Sequence, residues 1–511
     1  MRIFIWSLLA LLFFYGCSKD NDLLNDSITK SDPMPSTEIN NFLYKSIENG
    51  QIFNWKQASD HLIWSAAMQS DSIFAIGYQT LSTSDLINTI HKIDITSSEW
   101  MNARDEILNI VLEGERVYNN DITFEDLLPK GYPKTIPSME VKITNPETIK
   151  VLRTRKEVRY LEAMGYELPP IADNSNSVLR SSSGCGAEPD YNLNSADYTT
   201  ISPAVKQSWN HASSNISQAW NSSKGNNVTL TIIDTGISDD QDNLGTNFNS
   251  GFSSGRTVER YSTFYSGSWW WRSLEPPHDQ CGHGTQMAGL ATAPRGNDGN
   301  AVGVAYNSDL IGIRAVEDVI ISSSDEKKGV KDALILAANR SDVKVISMSL
   351  GTPFWSGTVA DGIYYAYNSG KMIFAAAGTS FSWTSGIGVI FPATMSQTYA
   401  VTGVRDSYPL VKCNTCHQGS AVDFVMMMQR AANTDRTALT LALYSDQPNY
   451  VGGSSCATAS VAGIAALVFS NNPGATRSQV YNAMKVSSSF YPNKNNNLGW
   501  GIIDAAAAVN Y

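Results

Sequence analysis

The segment Val228-Thr-Leu-Thr-Ile-Ile-Asp234-Thr-Gly236 is a short apolar run that ends in a polar turn. Three similar runs follow along the chain, at 310–314, 343–349 and 372–376. Helical patterns near 329–339 and 359–368 separate the later runs. Parallel strands need such crossover connections, and strands covered on both faces read as continuous apolar runs. The pattern therefore predicts an α/β fold with a doubly wound parallel sheet.

The composition of the 511-residue chain is that of a globular protein. Hydrophobic residues make up 42% and charged residues 17%, which is too apolar and too weakly charged for a disordered chain. Lys and Arg number 37 against 48 Asp and Glu, so the net charge is −11, and there is no basic block. Because phosphate binding needs clustered cations, nucleic acid is excluded as a main partner.

Three short motifs occur in the α/β region in the order Asp, His, Ser. They are Asp234-Thr-Gly236 at the end of a strand, His283-Gly-Thr285 at a helix start and Gly453-Ser-Ser-Cys-Ala457 at another. Each alone is typical of a turn or a cap, but their order is one of the known orders of a nucleophilic triad. A serine hydroxyl needs a base to become a nucleophile. The pattern therefore predicts Ser455 as nucleophile, His283 as base and Asp234 as its orienting partner.

These motifs resemble those of the subtilisin-like serine proteases, the subtilases of peptidase family S8, from about residue 228 to the last residue. Ile232-Ile-Asp-Thr-Gly-Ile237 is similar to the Asp motif, and Gly282-His-Gly-Thr285 with Ala288-Gly289 is similar to the His motif. Residues 453–463 keep the Ser motif's small-residue framework, although Ser454, Ala459 and Ser460 replace its usual Thr, Pro and His. The resemblance implies a subtilisin-type fold. It also implies a serine endopeptidase that cleaves protein or peptide substrates through an acyl-enzyme and needs no cofactor for the chemistry.

Further segments extend the resemblance and imply binding roles. Val345-Ile-Ser-Met-Ser-Leu-Gly351 resembles the strand that pairs with substrate, which implies substrate contacts for Ser349, Leu350 and Gly351. Gly499-Trp-Gly501 resembles the family's closing segment. Thr379 follows Ala375-Ala-Ala-Gly378, where the family keeps the Asn of its oxyanion hole. A hydroxyl reaches less far than a carboxamide, so we expect Thr379 to be a retuned or weakened oxyanion donor beside the Ser455 N–H.

A rival hypothesis is a surface binding protein on a protease fold, catalytically weak or silent because of Thr379. Residues 247–277, with Trp269-Trp-Trp271 among Ser, Gly and Tyr, have the composition of a surface insertion that could hold a ligand. Such tryptophans more often form a local cluster that buries its own loop. Reaction of Ser455 with a fluorophosphonate would separate the protease from the binding protein.

The amino terminus predicts export and a lipid anchor. Residues 1–16 have a positive start and an apolar run, which is typical of a signal peptide. Phe14-Tyr-Gly-Cys17 resembles a loose bacterial lipobox in which Cys17 is lipidated, and residues 17–35 follow as a polar tether. The tether resembles those of surface lipoproteins of Bacteroidetes-like bacteria. We therefore expect a cell-envelope location, at the outer membrane or cell surface; a plain signal peptide with a chance Cys is the alternative.

The region between the tether and the α/β domain has the pattern of a small α+β domain. A Thr96-x-x-Glu99 capping box and an Asn145-Pro146 helix start predict two of its helices. Residues 36–170 are interpreted as a prosegment-like domain, residues 171–190 as a linker and residues 191–511 as the catalytic domain. By resemblance, the prosegment would inhibit its own protease. A permanent accessory domain is the alternative.

Five cysteines remain besides Cys17, so at least one thiol is unpaired. Cys413-Asn-Thr-Cys416-His417 has the spacing for covalent haem attachment. Its context, which offers no haem pocket, favours a local disulfide or surface loop instead. Cys456 follows Ser455 directly and is interpreted as a buried small residue rather than a nucleophile.

A structural calcium ion is the remaining candidate ligand, because calcium is common in the family. Asn297 and the carbonyls of the loop 296–300, with Asp242 or Asn243, offer the hard oxygen ligands that calcium prefers. Loops of this composition are usually only turns, so the metal is left open.

Overall fold

A small α+β domain forms the first part of the computed structural model, which describes residues 32–48, 51–169, 184–267, 271–379 and 388–511. Its elements are α1 Ser36–Glu48, α2 Asp60–Met68, β1 Ile73–Tyr78, α3 Leu86–Thr89, α4 Ser98–Arg116, α5 Phe124–Leu127, β2 Ser138–Lys142, α6 Pro146–Thr154 and β3 Val158–Ala163. β1 lies between β2 and β3 and is antiparallel to both. β2, α6 and β3 form a strand, helix, strand unit. Cys17 and the signal peptide lie outside the described residues.

The two predicted helix starts in this domain had different outcomes. α6 begins as expected, because the Asn145 side chain accepts a hydrogen bond from the Glu147 N–H and Pro146 occupies the first turn. The Thr96 capping box is wrong, since α4 begins after Ser97 and Thr96 bonds to Asp94 instead. An aspartate two residues earlier supplied a competing local turn.

The second part of the chain contains a seven-stranded parallel sheet. Its elements are β4 Tyr198–Ile201, β5 Val205–Ser208, α7 Ile216–Ala219, β6 Thr229–Asp234, β7 Val258–Ser262, β8 Tyr265–Ser266, β9 Ser273–Leu274, α8 His283–Thr292, β10 Asp309–Arg314, α9 Ser324–Asn339, β11 Val343–Met348, α10 Gly357–Asn368, β12 Met372–Ala376, β13 Tyr399–Arg405, β14 Val422–Gln429, β15 Ala438–Leu441, β16 Pro448–Val451, α11 Ser454–Asn471, α12 Arg477–Val486 and α13 Ala505–Val509. The strand order is β14-β13-β12-β11-β6-β10-β7. The predicted α/β fold is confirmed.

Helices cover both faces of this sheet, so its central strands are almost wholly buried. Ile233 of β6 packs in one core with α9 and α10, whereas Leu230 and Ile232 pack in the other with α8 and α11. The first core continues into the N-terminal domain, whose side chains belong to the same apolar cluster. Residues 33–511 accordingly form one compact unit.

Residues 247–277 are not simply a surface insertion, which corrects the sequence-based interpretation. Val258–Ser262 forms β7, the edge strand that pairs with β10. All five of its residues are only half-buried, so it lacks the apolar run that revealed the central strands. Trp271 is 84% exposed and is therefore not buried in a local cluster; Trp269 and Trp270 lie outside the described residues.

One helix among the described residues, α11, is long and apolar enough to cross a membrane by length and composition. Buried positions make up 83% of that stretch, as expected for a helix in the core of a doubly wound fold. Its role here is to carry the Ser motif at its first turn.

Candidate active site

The end of β6 and the start of α8 bring Asp234 and His283 together. Asp234 Oδ1 lies 2.7 Å from His283 Nδ1, and the side chains are 1% and 5% exposed. The same oxygen accepts a hydrogen bond from the Thr235 N–H at 2.8 Å. Because Nδ1 is engaged by the carboxylate, Nε2 is the ring nitrogen that can accept a proton.

Asp279 is a site residue that the sequence reasoning missed. It is fully buried and ties the Asp motif to the His motif through five hydrogen bonds. Its Oδ1 accepts from Cys281 N–H (3.0 Å), Gly282 N–H (2.7 Å) and the Thr235 hydroxyl (2.9 Å), and its Oδ2 accepts from Thr285 N–H (2.9 Å) and hydroxyl (2.7 Å). The sequence did contain a signal for this residue. An Asp four residues before the His can accept hydrogen bonds from the N–H groups that are left unpaired at the start of a helix.

The charges around His283 change its proton affinity. Burial lowers its pKa, but the Asp234 charge, the hydrogen bond to Asp234 and the charges of Asp279 and Asp318 outweigh burial. The pKa of His283 is therefore raised above its ordinary value.

Ser455 is the second residue of α11, a helix that packs against α8. It is half-buried, and its Oγ donates to the Ser349 carbonyl at 3.3 Å, while Ser349 Oγ donates back to the Ser455 carbonyl at 2.9 Å. Within the described residues no hydrogen bond joins Ser455 Oγ to His283. Such bonds are often long until substrate binds.

Thr379 lies beside the Ser motif, as its place in the sequence predicts. Its Oγ1 is 3.0 Å from Ser454 Oγ, and Ser454 Oγ also accepts the Gly378 N–H at 3.2 Å. Ser454, noted in the sequence only as a departure from the family pattern, thus connects the Gly378 backbone and the Thr379 side chain to the start of α11.

The predicted substrate strand is partly occupied by the chain itself. Leu350 is buried. The Gly351 N–H donates to the Val319 carbonyl at 3.1 Å, and the Gly351 carbonyl accepts from the Ile321 N–H at 3.0 Å. A substrate that pairs with Gly351 must therefore displace these two bonds.

A segment within the predicted linker covers His283. A Cβ placed on Gly184 would lie 3.3 Å from His283 Cδ2 and 3.6 Å from Val319 Cγ1. A disulfide joins Cys185 to Cys281, and the Gly186 N–H donates to the Cys281 carbonyl at 2.9 Å. His283 is consequently only 4% exposed as a residue.

Comparison with known proteins agrees with this geometry. Residues 225–501 match the sequence profile of the Subtilase family, peptidase S8. The chain belongs to the subtilase family. It is 27% identical to a thermophilic serine proteinase of Bacillus sp. strain AK1, in a match that covers 70% of this chain and 80% of that protein. It is 30% identical to subtilisin DY of Bacillus licheniformis, in a match that covers 56% of this chain and 92% of that protein. This subtilase is therefore a serine-type endopeptidase.

A solved structure supports the fold of the subtilase. Fervidolysin from Fervidobacterium pennivorans, a keratinolytic enzyme related to subtilisin, matches with a TM-score of 0.57 at 16% identity. The match covers 86% of this chain and 61% of that one. At this identity the likeness concerns the fold alone.

The remaining cysteines of the subtilase have structural roles. Cys413 and Cys416 form a disulfide, so neither thiol is available for haem attachment and the local-disulfide interpretation is confirmed. Cys456 is free and fully buried, and burial raises its pKa with a further contribution from the Asp234 charge. It is the small buried residue that was predicted.

The site considered for calcium contains both a cation of the protein and acceptor oxygens. The Lys206 ammonium already donates to the Gly299 carbonyl, so a cation of the protein occupies this side of the loop. Asp298 Oδ1 accepts the Asn300 N–H at 2.9 Å, and Asn243 is buried without a hydrogen bond to its side chain. In the described part of the chain no three acidic, His or Cys side chains could hold a metal together. Burial and the charges of Asp298 and Asp242 raise the pKa of Asp446, so carboxylates also lie near this loop, and a structural calcium ion stays a prediction.

Proposed function

We propose that this subtilase is an exported, membrane-anchored endopeptidase that hydrolyses peptide bonds through Ser455, His283 and Asp234. The observation that carries the proposal is the buried 2.7 Å contact between Asp234 and His283, with Ser455 at the start of the helix packed against α8. A buried carboxylate, an imidazole and a half-exposed hydroxyl are the groups that acyl transfer needs.

The mechanism follows from these positions. Ser455 Oγ attacks the scissile carbonyl carbon while His283 Nε2 takes the hydroxyl proton, and His283 then gives that proton to the leaving amine. Asp234 holds His283 in the tautomer that leaves Nε2 free to accept the proton, and it stabilises the His283 imidazolium that forms. The oxyanion accepts from the Ser455 N–H at the amino end of α11 and from Thr379 Oγ1, whose present partner is Ser454 Oγ. A water molecule then attacks the acyl-enzyme while His283 takes its proton, and His283 returns that proton to Ser455 Oγ as the carboxylic acid product leaves.

A fluorophosphonate label tests the nucleophile. The wild-type chain is expected to be labelled and to cleave a peptide library, and Ser455→Ala is expected to lose both properties with an unchanged unfolding temperature. Labelling and cleavage that persist in Ser455→Ala would refute the assignment. A folded wild-type protein that is not labelled even after a cut between residues 169 and 184 would support the silent binding protein, with the exposed Trp271 as a starting point for its ligand.

The N-terminal domain is proposed to be a prosegment that keeps the chain latent. Its β3 docks on the catalytic part through buried ionisable groups: Arg159 donates to Asp361 at 2.9 and 2.6 Å, and the Glu162 side chain accepts the Gly357 N–H at the start of α10. Burial raises the pKa of Glu162 to about 8. Together with Gly184 on His283, these contacts support a closed precursor.

Self-processing distinguishes a prosegment from a permanent accessory domain. We expect the wild type to be cut between residues 169 and 184 and to gain activity with the cut, whereas Ser455→Ala stays uncut. Amino-terminal sequencing and a time course of peptide cleavage measure both. Full activity in an intact single chain would favour the accessory domain.

The lipid anchor is proposed at Cys17, supported by the lipobox-like end of the apolar run. Growth with a tagged fatty acid should label the wild-type precursor and leave Cys17→Ser unlabelled. Equal labelling of both would place the anchor elsewhere. An unlabelled wild type would indicate a plain signal peptide.

A further inference from the structure

The Cys413-Asn-Thr-Cys416-His417 turn packs directly on the backbone that carries Thr379. Cys416 pairs with Thr379 as an isolated antiparallel bridge, and the His417 N–H donates to the Gly378 carbonyl at 2.9 Å. The disulfide closes the turn across three residues of sequence. The turn thus acts as a short extra strand beside Gly378 and Thr379.

The His417 ring fills the space behind Gly378. A Cβ on Gly378 would lie 2.4 Å from His417 Nδ1, and Gly378 has a φ of +122°, so only glycine fits here. His417 is 3% exposed, and burial lowers its pKa to about 4. The ring is therefore neutral in the pH range of a serine protease and acts by shape.

The opposite side of the same backbone faces the Ser motif. The Gly378 N–H and Thr379 Oγ1 both contact Ser454 Oγ, at 3.2 and 3.0 Å. Gly378 and Thr379 are consequently held between the disulfide turn on one side and the residue before Ser455 on the other.

Because the side chain of Thr379 is short, the position of its hydroxyl depends on this support of the backbone. A threonine hydroxyl is set by a single side-chain torsion and reaches less far than a carboxamide, so its position depends on where the backbone lies. An oxyanion donor acts only within hydrogen-bond distance of the developing charge, and small misplacements are costly.

We propose that the Cys413–Cys416 disulfide and His417 form a positioning element that holds the Gly378–Thr379 backbone where Thr379 can donate to the oxyanion. The element touches no reacting atom and acts through Thr379. The proposal rests on the proposed function of Ser455 and Thr379.

Kinetics of Cys413→Ala/Cys416→Ala test the proposal. We expect kcat to fall about 10-fold and KM to stay within about twofold, since only transition-state binding is weakened. Affinity for a peptide boronic acid, which forms a tetrahedral adduct with serine, should fall by about the same factor as kcat/KM. Thr415→Ala, an exposed change in the same turn, is the matched control and should leave all three values unchanged.

A double-mutant cycle separates positioning from general destabilisation. If the turn acts through Thr379, adding the two Cys substitutions to Thr379→Val should cost no further activity. Should the Cys variant fail to fold, His417→Ala retains the disulfide, removes the ring behind Gly378 and should show the same selective fall in kcat.

Two results would overturn the positioning role: wild-type kcat in the folded variants, or a loss that is fully additive with Thr379→Val. If the wild type is still labelled by the fluorophosphonate in either case, the positioning role fails while the proposed function holds. A wild type that stays unlabelled after a cut between residues 169 and 184 would refute the function itself.

Discussion

The two halves of the proposed active site are built differently. Asp234 and His283 are buried and are connected by charged hydrogen bonds to each other and, through Thr235, to Asp279. Ser455 is half-buried and its Oγ makes one long hydrogen bond, and Thr379 Oγ1 bonds to a neutral hydroxyl. Bonds to ionised groups are roughly twice as strong as bonds between neutral groups. The proton-transfer half is therefore fixed in advance, whereas the nucleophile and oxyanion half must change partners when substrate arrives.

Removal of the charge in the fixed half should have the largest effect. Asp234→Asn keeps the shape but lets the imidazole take the wrong tautomer and leaves an imidazolium unstabilised, so kcat should fall by about 10⁴-fold. Steady-state kinetics at pH 8 measure the loss. A fall of less than about 10-fold would show that another group orients His283.

Asp279→Asn should have a smaller effect on the same half. The amide keeps one acceptor oxygen but loses the bonds that the second oxygen accepts from Thr285, so the start of α8 shifts relative to Asp234. Misplacement of about 1 Å costs on the order of 10²-fold. Kinetics and the unfolding temperature should be measured together. A folded variant with wild-type kcat would exclude Asp279 as a positioning residue.

Thr379→Val tests the adjustable half. The change keeps the shape and removes the only donor of the side chain, so turnover should fall by about 10-fold with little change in KM. Thr379→Ser keeps the hydroxyl and is the matched control, expected to stay close to wild type. Equal kinetics of the Val and Ser variants would show that the second donor is another group.

The same two halves differ in how far sequence alone could predict them. The identities of Asp234, His283 and Ser455 follow from their motifs, because acyl transfer tolerates few residue types at these positions. The central strands of the sheet could be predicted as well, since burial on both faces leaves a continuous apolar run. The 2.7 Å contact between Asp234 and His283 agrees with that expectation.

What surrounds the triad could not be predicted, because it depends on contacts between distant segments. The pairing of Cys185 with Cys281 spans 96 residues, and cysteine spacing does not specify connectivity. The contact of Gly184 with His283 leaves no local pattern either. The half-buried β7 lacked a periodic signal, so an edge strand was mistaken for an insertion.

The smallest predicted effect concerns the acid limb of the pH profile. Only neutral His283 accepts the Ser455 proton, so kcat/KM falls on the acid side as the imidazole becomes protonated, and the raised pKa of His283 places this fall at higher pH. Asp318 contributes negative charge to that shift, while its Oδ1 accepts the Ile320 N–H at 2.7 Å. Asp318→Asn keeps that acceptor and removes the charge. It should lower the pKa of His283, move the acid limb to lower pH and raise activity near pH 6, relative to the plateau, by about twofold.

Glu317→Gln, an exposed neighbour, is the control and should leave the limb in place. An unmoved limb in Asp318→Asn, or an equal shift in both variants, would show that the hydrogen-bonded carboxylates alone set the proton affinity of His283.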